Sequence, residues 1–276
     1  MSPAKINEGG ERGFVIPIGG AEERVDNPVI LKRFVKLCGG VDARIAIIPT
    51  ASRLSDTGSN YVKVFEDLGV TGAFSLDIGS REEAQDDENL EALDNATGIF
   101  MTGGNQLRLS TILGGTPFAQ KIRRLNADGV HVAGTSAGAA IMPQHMIAGG
   151  SSGGLPNEQG VTMAPGLGLI NKVILDQHFS QRNRLGRLLS AISYNPFASA
   201  IGICEDTAAF IGPDGLLEVE GSGSITIVDP TDLSYSSMAE AYEGDSITML
   251  GLKMHMLSSG SSYDLNTREA FPPKRK

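Results

Sequence analysis

The residues with the most chemistry to offer stand in Val130-His131-Val132-Ala133-Gly134-Thr135-Ser136-Ala137-Gly138-Ala139-Ala140, an apolar run interrupted by Gly-x-Ser-x-Gly. The pattern predicts a nucleophile elbow. A strand ends in a turn too tight for a side chain at Gly134 or Gly138, and the Ser136 hydroxyl projects at the N-terminus of the helix that follows. Backbone N–H groups there, with the positive end of the helix dipole, can stabilise an oxyanion. The chemistry in prospect is acyl transfer through a serine.

Such a serine needs a base, and the chain has four histidines. His131 lies inside the strand leading to the elbow, too far back along it to reach Ser136, and reads as a strand-face residue. His145 follows Pro143 and reads as packing or capping on the outgoing helix. His178 closes the short apolar run Val173-Ile174-Leu175 after the polar pair Asp176-Gln177, so it stands where a strand runs out at its C-terminal end. Open α/β sheets place their ligand crevice at that end of the strands, which makes His178 the preferred base. The orienting acid is then Glu205, at the end of Ala200-Ile201-Gly202-Ile203-Cys204, with Asp206 beside it as a second candidate. The chain order serine, histidine, acid departs from that of α/β-hydrolases, where the acid precedes the histidine. An α/β-hydrolase esterase would instead recruit His255, with Asp229 or Asp245 as its acid, although His255 sits in a run that reads as a packed late strand.

These segments resemble the cyanophycinase family of serine peptidases. The resemblance rests on residues 176–188, Gly134-Thr135-Ser136-Ala137-Gly138-Ala139, Met101-Thr102-Gly103-Gly104-Asn105-Gln106 and Gly19-Gly20-Ala21-Glu22, and it runs from about Phe14 to Leu257. It implies a class I glutamine amidotransferase-like fold and exopeptidase cleavage of cyanophycin, a polyaspartate whose side-chain carboxyls each carry an arginine, to β-aspartyl-arginine dipeptides. It also implies Ser136 as nucleophile, His178 as base, Glu205 as acid, the amides of Gly104 and Ala137 as oxyanion hole, Gln106 near the scissile residue, and a homodimer. The chain has Asn105 where many members carry an acid. An aspartyl dipeptidase acting on small N-terminal-Asp peptides, or a non-catalytic amidotransferase-like binding protein, are the neighbouring alternatives.

Arg182, Arg184 and Arg187 follow the base closely, and the last two share one face of any helix there. Guanidinium forks bind carboxylates in a bidentate manner, so the three are expected to meet the carboxylates of the substrate. Asp176 and Gln177, on the other side of His178, are expected to hold its backbone or its guanidinium.

The elements that must position these groups follow from hydrophobic periodicity. Strand-like runs at residues 13–18, 44–49, 73–76, 98–101 and 129–133 alternate with helical segments at 27–38, 59–68 and 116–128, which implies a mostly parallel sheet flanked by helices. Beyond Glu205 the chain changes character. Residues 208–211 and 216–219 flank the turn Gly212-Pro213-Asp214-Gly215, and 224–228 follow, so antiparallel edge strands are expected at the C-terminal side. Residues 81–94 read as an exposed acidic helix or loop. The Gly/Ser-rich stretch 148–156 is either a surface linker or a flap over the cleft.

With 276 residues, 41% of them hydrophobic, the chain suffices for one α/β domain over residues 13–257, between a polar segment at 1–12 and a polar, loosely ordered tail at 258–276. The net charge of −9 gives no electrostatic footprint for nucleic acid. No apolar run approaches a membrane span, and the polar N-terminus lacks an apolar signal core, so a cytoplasmic protein is expected. The scattered histidines and the absence of Cys-x-x-Cys argue against a metal site, and no Gly-Lys-Ser/Thr follows Gly19-Gly20 or Gly103-Gly104 to make a phosphate loop. No cofactor is expected. Cys38 and Cys204 read as buried thiols.

Overall fold

The computed structural model describes residues 2–273. Its first half is an alternating β/α wrap: β1 (Val15–Ile18), α1 (Val29–Leu37), β2 (Arg44–Ile48), α2 (Thr57–Asp67), β3 (Gly72–Ser75), α3 (Asp87–Ala92), β4 (Gly98–Met101), α4 (Gln106–Leu113), α5 (Pro117–Ala127), β5 (His131–Thr135) and α6 (Ala137–Ala140). The five strands pair in parallel in the order β1-β5-β4-β2-β3. Strands β1 and β4 are buried at every position, as expected for central parallel strands covered on both faces. Helix α1 shows why the helices cover them: Ile30, Leu31, Phe34 and Val35 recur at helical spacing and are buried, while Lys32 and Lys36 face outward. Helix α5 starts where Thr116 caps it and Pro117 fills its first turn.

The remaining elements are the hairpin β6 (His145–Gly150) with β7 (Val161–Pro165), then β8 (Val173–Gln177), α7 (Leu185–Tyr194), β9 (Ser199–Ile203), β10 (Thr207–Ile211), β11 (Leu216–Gly221) and β12 (Ser224–Asp229). A small ribbon, β13 (Tyr235–Ser236) with β14 (Met249–Leu250), precedes β15 (Lys253–Ser258), β16 (Ser262–Asp264) and β17 (Glu269–Phe271). Strands β10, β11, β16 and β17 extend the large sheet in antiparallel fashion, giving the order β17-β16-β11-β10-β1-β5-β4-β2-β3. A second sheet, ordered β15-β12-β9-β8, has a parallel β8-α7-β9 unit at one side. No helix among the described residues is long and apolar enough to cross a membrane.

The α/β class with a largely parallel core sheet is as the periodicity implies, and three expectations are corrected. The strand at 224–228 joins the second sheet instead of the edge of the first. The helix after the elbow lasts one turn, because Pro143 follows at once, and His145 is the exposed first residue of β6. Residues 258–273 are not loosely ordered, since β16 and β17 complete the large sheet around Tyr263, which is fully buried. Within 148–156, Gly153 N–H donates to Asn183 O at 2.7 Å, and Gly186 N–H donates to Gly153 O at 2.7 Å. The end Lys274-Arg275-Lys276 lies outside the described residues.

Candidate active site

Strand β5 delivers Ser136 to the C-terminal edge of the large sheet with φ 53° and ψ −109°, a backbone conformation that costs an L residue energy. Both flanking glycines are required by close approach. A Cβ at Gly134 would lie 2.5 Å from Gly138 O, and one at Gly138 would lie 2.2 Å from Met101 O. The two other groups come from the second sheet. His178 follows β8 and Glu205 follows β9, neighbouring parallel strands in which Gln177 stands opposite Ile203. Both therefore emerge at the same end of adjacent strands, as the reading of their apolar runs requires.

The three side chains form one relay. Ser136 Oγ lies 2.8 Å from His178 Nε2, and His178 Nδ1 lies 2.6 Å from Glu205 Oε1. An ionised Glu205 can only accept, so Nδ1 carries the proton and Nε2 is left to accept from the serine. Burial pushes the His178 imidazole below its ordinary pKa, Arg182 and Arg184 push the same way, and Glu205 pulls against them. Imidazole is thus neutral near pH 7 and able to take a proton. Asp206 is occupied elsewhere, accepting from Glu23 N–H at 2.9 Å and Ser222 Oγ at 2.6 Å. His131 Nδ1 accepts from Phe14 N–H at 3.0 Å. His255 sits in β15, three strands from β8 in the second sheet and so roughly 14 Å from that strand, which removes it as a partner of Ser136.

Ala137, the first residue of the one-turn helix, has no intrahelical acceptor for its N–H, and Gly104 lies with Ser136 and His178 along a cleft of about 480 Å³. Asn105 caps α4 through Oδ1, accepting from Leu107 N–H at 2.8 Å and Arg108 N–H at 3.3 Å. An aspartate there would cap equally well. Gln106 donates through Nε2 to Ile147 O at 3.3 Å and Ala148 O at 3.0 Å, tying the start of α4 to β6.

The charged cluster after the base divides. Asp176, whose side chain is 1% exposed, accepts from Arg187 Nε at 2.6 Å and from Arg187 Nη2, and from Arg184 Nη1 at 3.3 Å. Arg184 Nη1 also donates to Gln177 through its backbone O, at 2.5 Å, and through Oε1. Asp176, Gln177, Arg184 and Arg187 are all buried, and their first partners are one another. The reason is local: the end of β8 and the start of α7 pack together, and a buried charge there must be neutralised within the chain. Arg182 is exposed and carries no side-chain partner among the described residues. Asp176→Leu is expected to destabilise the protein by about 3–5 kcal/mol, because it leaves two buried guanidinium groups without their carboxylate. Denaturant unfolding checks this, and an unchanged midpoint would contradict the buried-pair account.

Several residues at this site gave no signal as chemistry in the sequence. Gly20 approaches the ring of His178 so closely that a Cβ would lie 2.3 Å from Cε1. Gly19 O accepts from His178 N–H at 2.8 Å, and Gln181 Oε1 accepts from Glu205 N–H at 3.1 Å. The Gly-Gly pair directly after an apolar strand was the available sign. Of the seven non-glycine residues at positive φ among the described residues, Ala21, Ser136, His178 and Asp206 cluster here.

The chain is similar to known peptidases along most of its length. The pattern of Peptidase family S51 matches residues 14–219. A cyanophycinase of Synechococcus elongatus is 45% identical over 271 residues, 98% of this chain and 84% of that one. A cyanophycinase of Geminocystis herdmanii is 46% identical over 260 residues, 94% of this chain and 96% of its own. Among solved structures, a peptidase from an acI-B1 Actinobacterium superposes with a TM-score of 0.66 at 23% identity, covering 93% of this chain and 98% of that one, which speaks to the fold.

Proposed function

Because the chain belongs to peptidase family S51 and is a serine-type peptidase, we propose that it hydrolyses cyanophycin as an exopeptidase, releasing β-aspartyl-arginine dipeptides through an acyl-enzyme. The observation that carries the reading is the continuous relay from Ser136 through His178 to Glu205, set at the ends of converging strands and open to the cleft. Ser136 Oγ attacks an aspartyl backbone carbonyl while His178 Nε2 takes its proton and Glu205 stabilises the imidazolium. The amides of Ala137 and Gly104 receive the oxyanion. His178 then hands the proton to the departing amine, and the neutral imidazole withdraws a proton from water as that water attacks the ester. Arg182, exposed beside the base, is the arginine free to meet a substrate carboxylate. The proposal includes a cytoplasmic homodimer.

Mass spectrometry of products formed from purified cyanophycin tests the reading. Dipeptides of aspartate and arginine are expected. Hydrolysis of small N-terminal-Asp peptides with the polymer left intact would overturn it in favour of a dipeptidase. The electrostatics add a signed test. Catalysis needs neutral His178, so the acid limb of kcat/KM reports its pKa. Arg182→Gln removes a charge that disfavours the imidazolium, the pKa rises, and the limb moves to higher pH. Glu205→Gln removes a charge that favours it, so there the limb moves to lower pH. Identical limbs in all three proteins would contradict the assignment.

A further inference from the structure

The cleft wall formed by the segment after β1 and by α2 holds charged groups that the hydrolytic steps leave unused. Glu22, with a side chain at 0% exposure, accepts from Tyr61 Oη at 2.6 Å and from Thr135 Oγ1, and pairs with Arg24 Nη2 at 3.2 Å. Arg24 lies over the Tyr61 ring at 4.5 Å and donates through Nη2 to Tyr61 Oη at 2.7 Å. One corner of the guanidinium is thereby fixed by a buried carboxylate and an aromatic face. Its side chain is still 41% exposed and lines the cleft beside Ser136, with Nε and Nη1 unpartnered among the described residues. A fork held this way has little freedom left to lose on binding a carboxylate.

Asp56 supplies the opposite charge. It stands at the N-cap of α2, where an aspartate normally caps, but its backbone is helical (φ −96°, ψ −1°) and its side chain makes no capping bond. The carboxylate is exposed, lines the same cleft, and has no partner among the described residues. Helix geometry places Asn60 on the face of Asp56, and Tyr61 lines the same cleft. The cleft thus offers a guanidinium anchored from behind by Glu22, with Nε and Nη1 free among the described residues, and an uncommitted anion.

We propose that Arg24 and Asp56 form a charge-matched specificity subsite that reads both ends of an arginyl branch: Arg24 takes the branch's α-carboxylate and Asp56 its guanidinium. The inference rests on the cyanophycin reading. An arginine joined through its α-amine to an aspartyl side chain keeps both of those groups free, and each meets its complement here. Bare polyaspartate offers only carboxylates, which Asp56 would repel, so the subsite selects the branched substrate over its backbone.

The test uses the full chain and short oligomers of β-aspartyl-arginine, with two analogues. In one, agmatine replaces arginine and removes the α-carboxylate. In the other, citrulline replaces arginine and removes the guanidinium charge. The wild type is expected to lose about tenfold in kcat/KM on each analogue, mainly through KM. Arg24→Lys, which keeps the charge and loses the fork, is expected to lose about tenfold on the arginyl oligomer and nothing further with agmatine. Asp56→Asn is expected to lose about tenfold on the arginyl oligomer and nothing further with citrulline, with kcat within about threefold because the relay is untouched. Asp56 makes no contact the fold needs, so its variant tests the proposal even where an Arg24 variant folds poorly. Wild-type rates for both variants on the arginyl oligomer, or losses that multiply with those of the analogues, would overturn the subsite alone. No hydrolysis of any oligomer by the wild type would overturn the cyanophycin reading and the subsite together.

Discussion

Replacement of Ser136 by alanine is expected to lower polymer hydrolysis by about 10⁴-fold or more while leaving the fold intact. Loss of the oxygen removes the group positioned at 2.8 Å from His178 Nε2, and the adjacent Thr135 Oγ1 cannot replace it because it is committed to the buried Glu22. The fold survives because alanine keeps the Cβ, so the elbow, with φ 53°, stays under the same strain. Ser136→Gly separates strain from chemistry. Glycine enters positive φ freely, so that variant is expected to be equally inactive and more stable than the alanine variant by about 1–3 kcal/mol. Thermal unfolding alongside a dipeptide-release assay reads both quantities. Substantial activity in either variant would remove Ser136 as the nucleophile. Equal stability of the two would mean that the elbow stores no strain.

How far the site was legible follows from which of its features are local. Ser136, His178 and Glu205 each end an apolar run, and a strand end is a property of the adjacent sequence, so all three could be found without knowing which strands pair. The basic cluster is less legible for the converse reason. Arg184 and Arg187 have carboxylate-binding chemistry, but a charge run does not state whether its counterion lies in a substrate or in the same chain, and here Asp176 supplies it from eight and eleven residues away. Tyr263 was lost among polar neighbours in a tail whose strands are three residues long, too short for alternation to show. The separation into two sheets was hidden because β8-α7-β9 has the same local signature as any parallel unit. Only the pairing of β12 with β9 instead of β11 divides the sheets. Glu22 stood in the Gly19-Gly20-Ala21-Glu22 segment, but its pairing with Arg24 carried no sequence signal, since its setting depends on Tyr61 and Thr135 arriving from other elements.

Gly20→Ala is expected to cost at least about 10²-fold in kcat/KM, although Gly20 bears no reactive group. The added methyl would stand 2.3 Å from His178 Cε1 and 2.6 Å from Nε2, distances that real Cβ atoms do not show. The ring has no direction in which to yield. It is held at 2.8 Å by Ser136 and at 2.6 Å by Glu205, and its own backbone N–H is fixed to Gly19 O at 2.8 Å. Any displacement that clears the methyl breaks the relay on one side. The same substitution also places alanine at φ +100°, which alone destabilises by about 1–3 kcal/mol, so the fold effect has to be removed from the comparison. Gly69→Ala does this. Gly69 has φ +89° with nothing within 4 Å of a built Cβ, so alanine there meets the strain without the clash. Both variants are expected to lose comparable stability, while the Gly69 variant keeps wild-type kcat/KM and the Gly20 variant does not. Loss of activity in both would assign the effect to folding. Full activity in the Gly20 variant would show that His178 does not act from the position in which it faces Ser136.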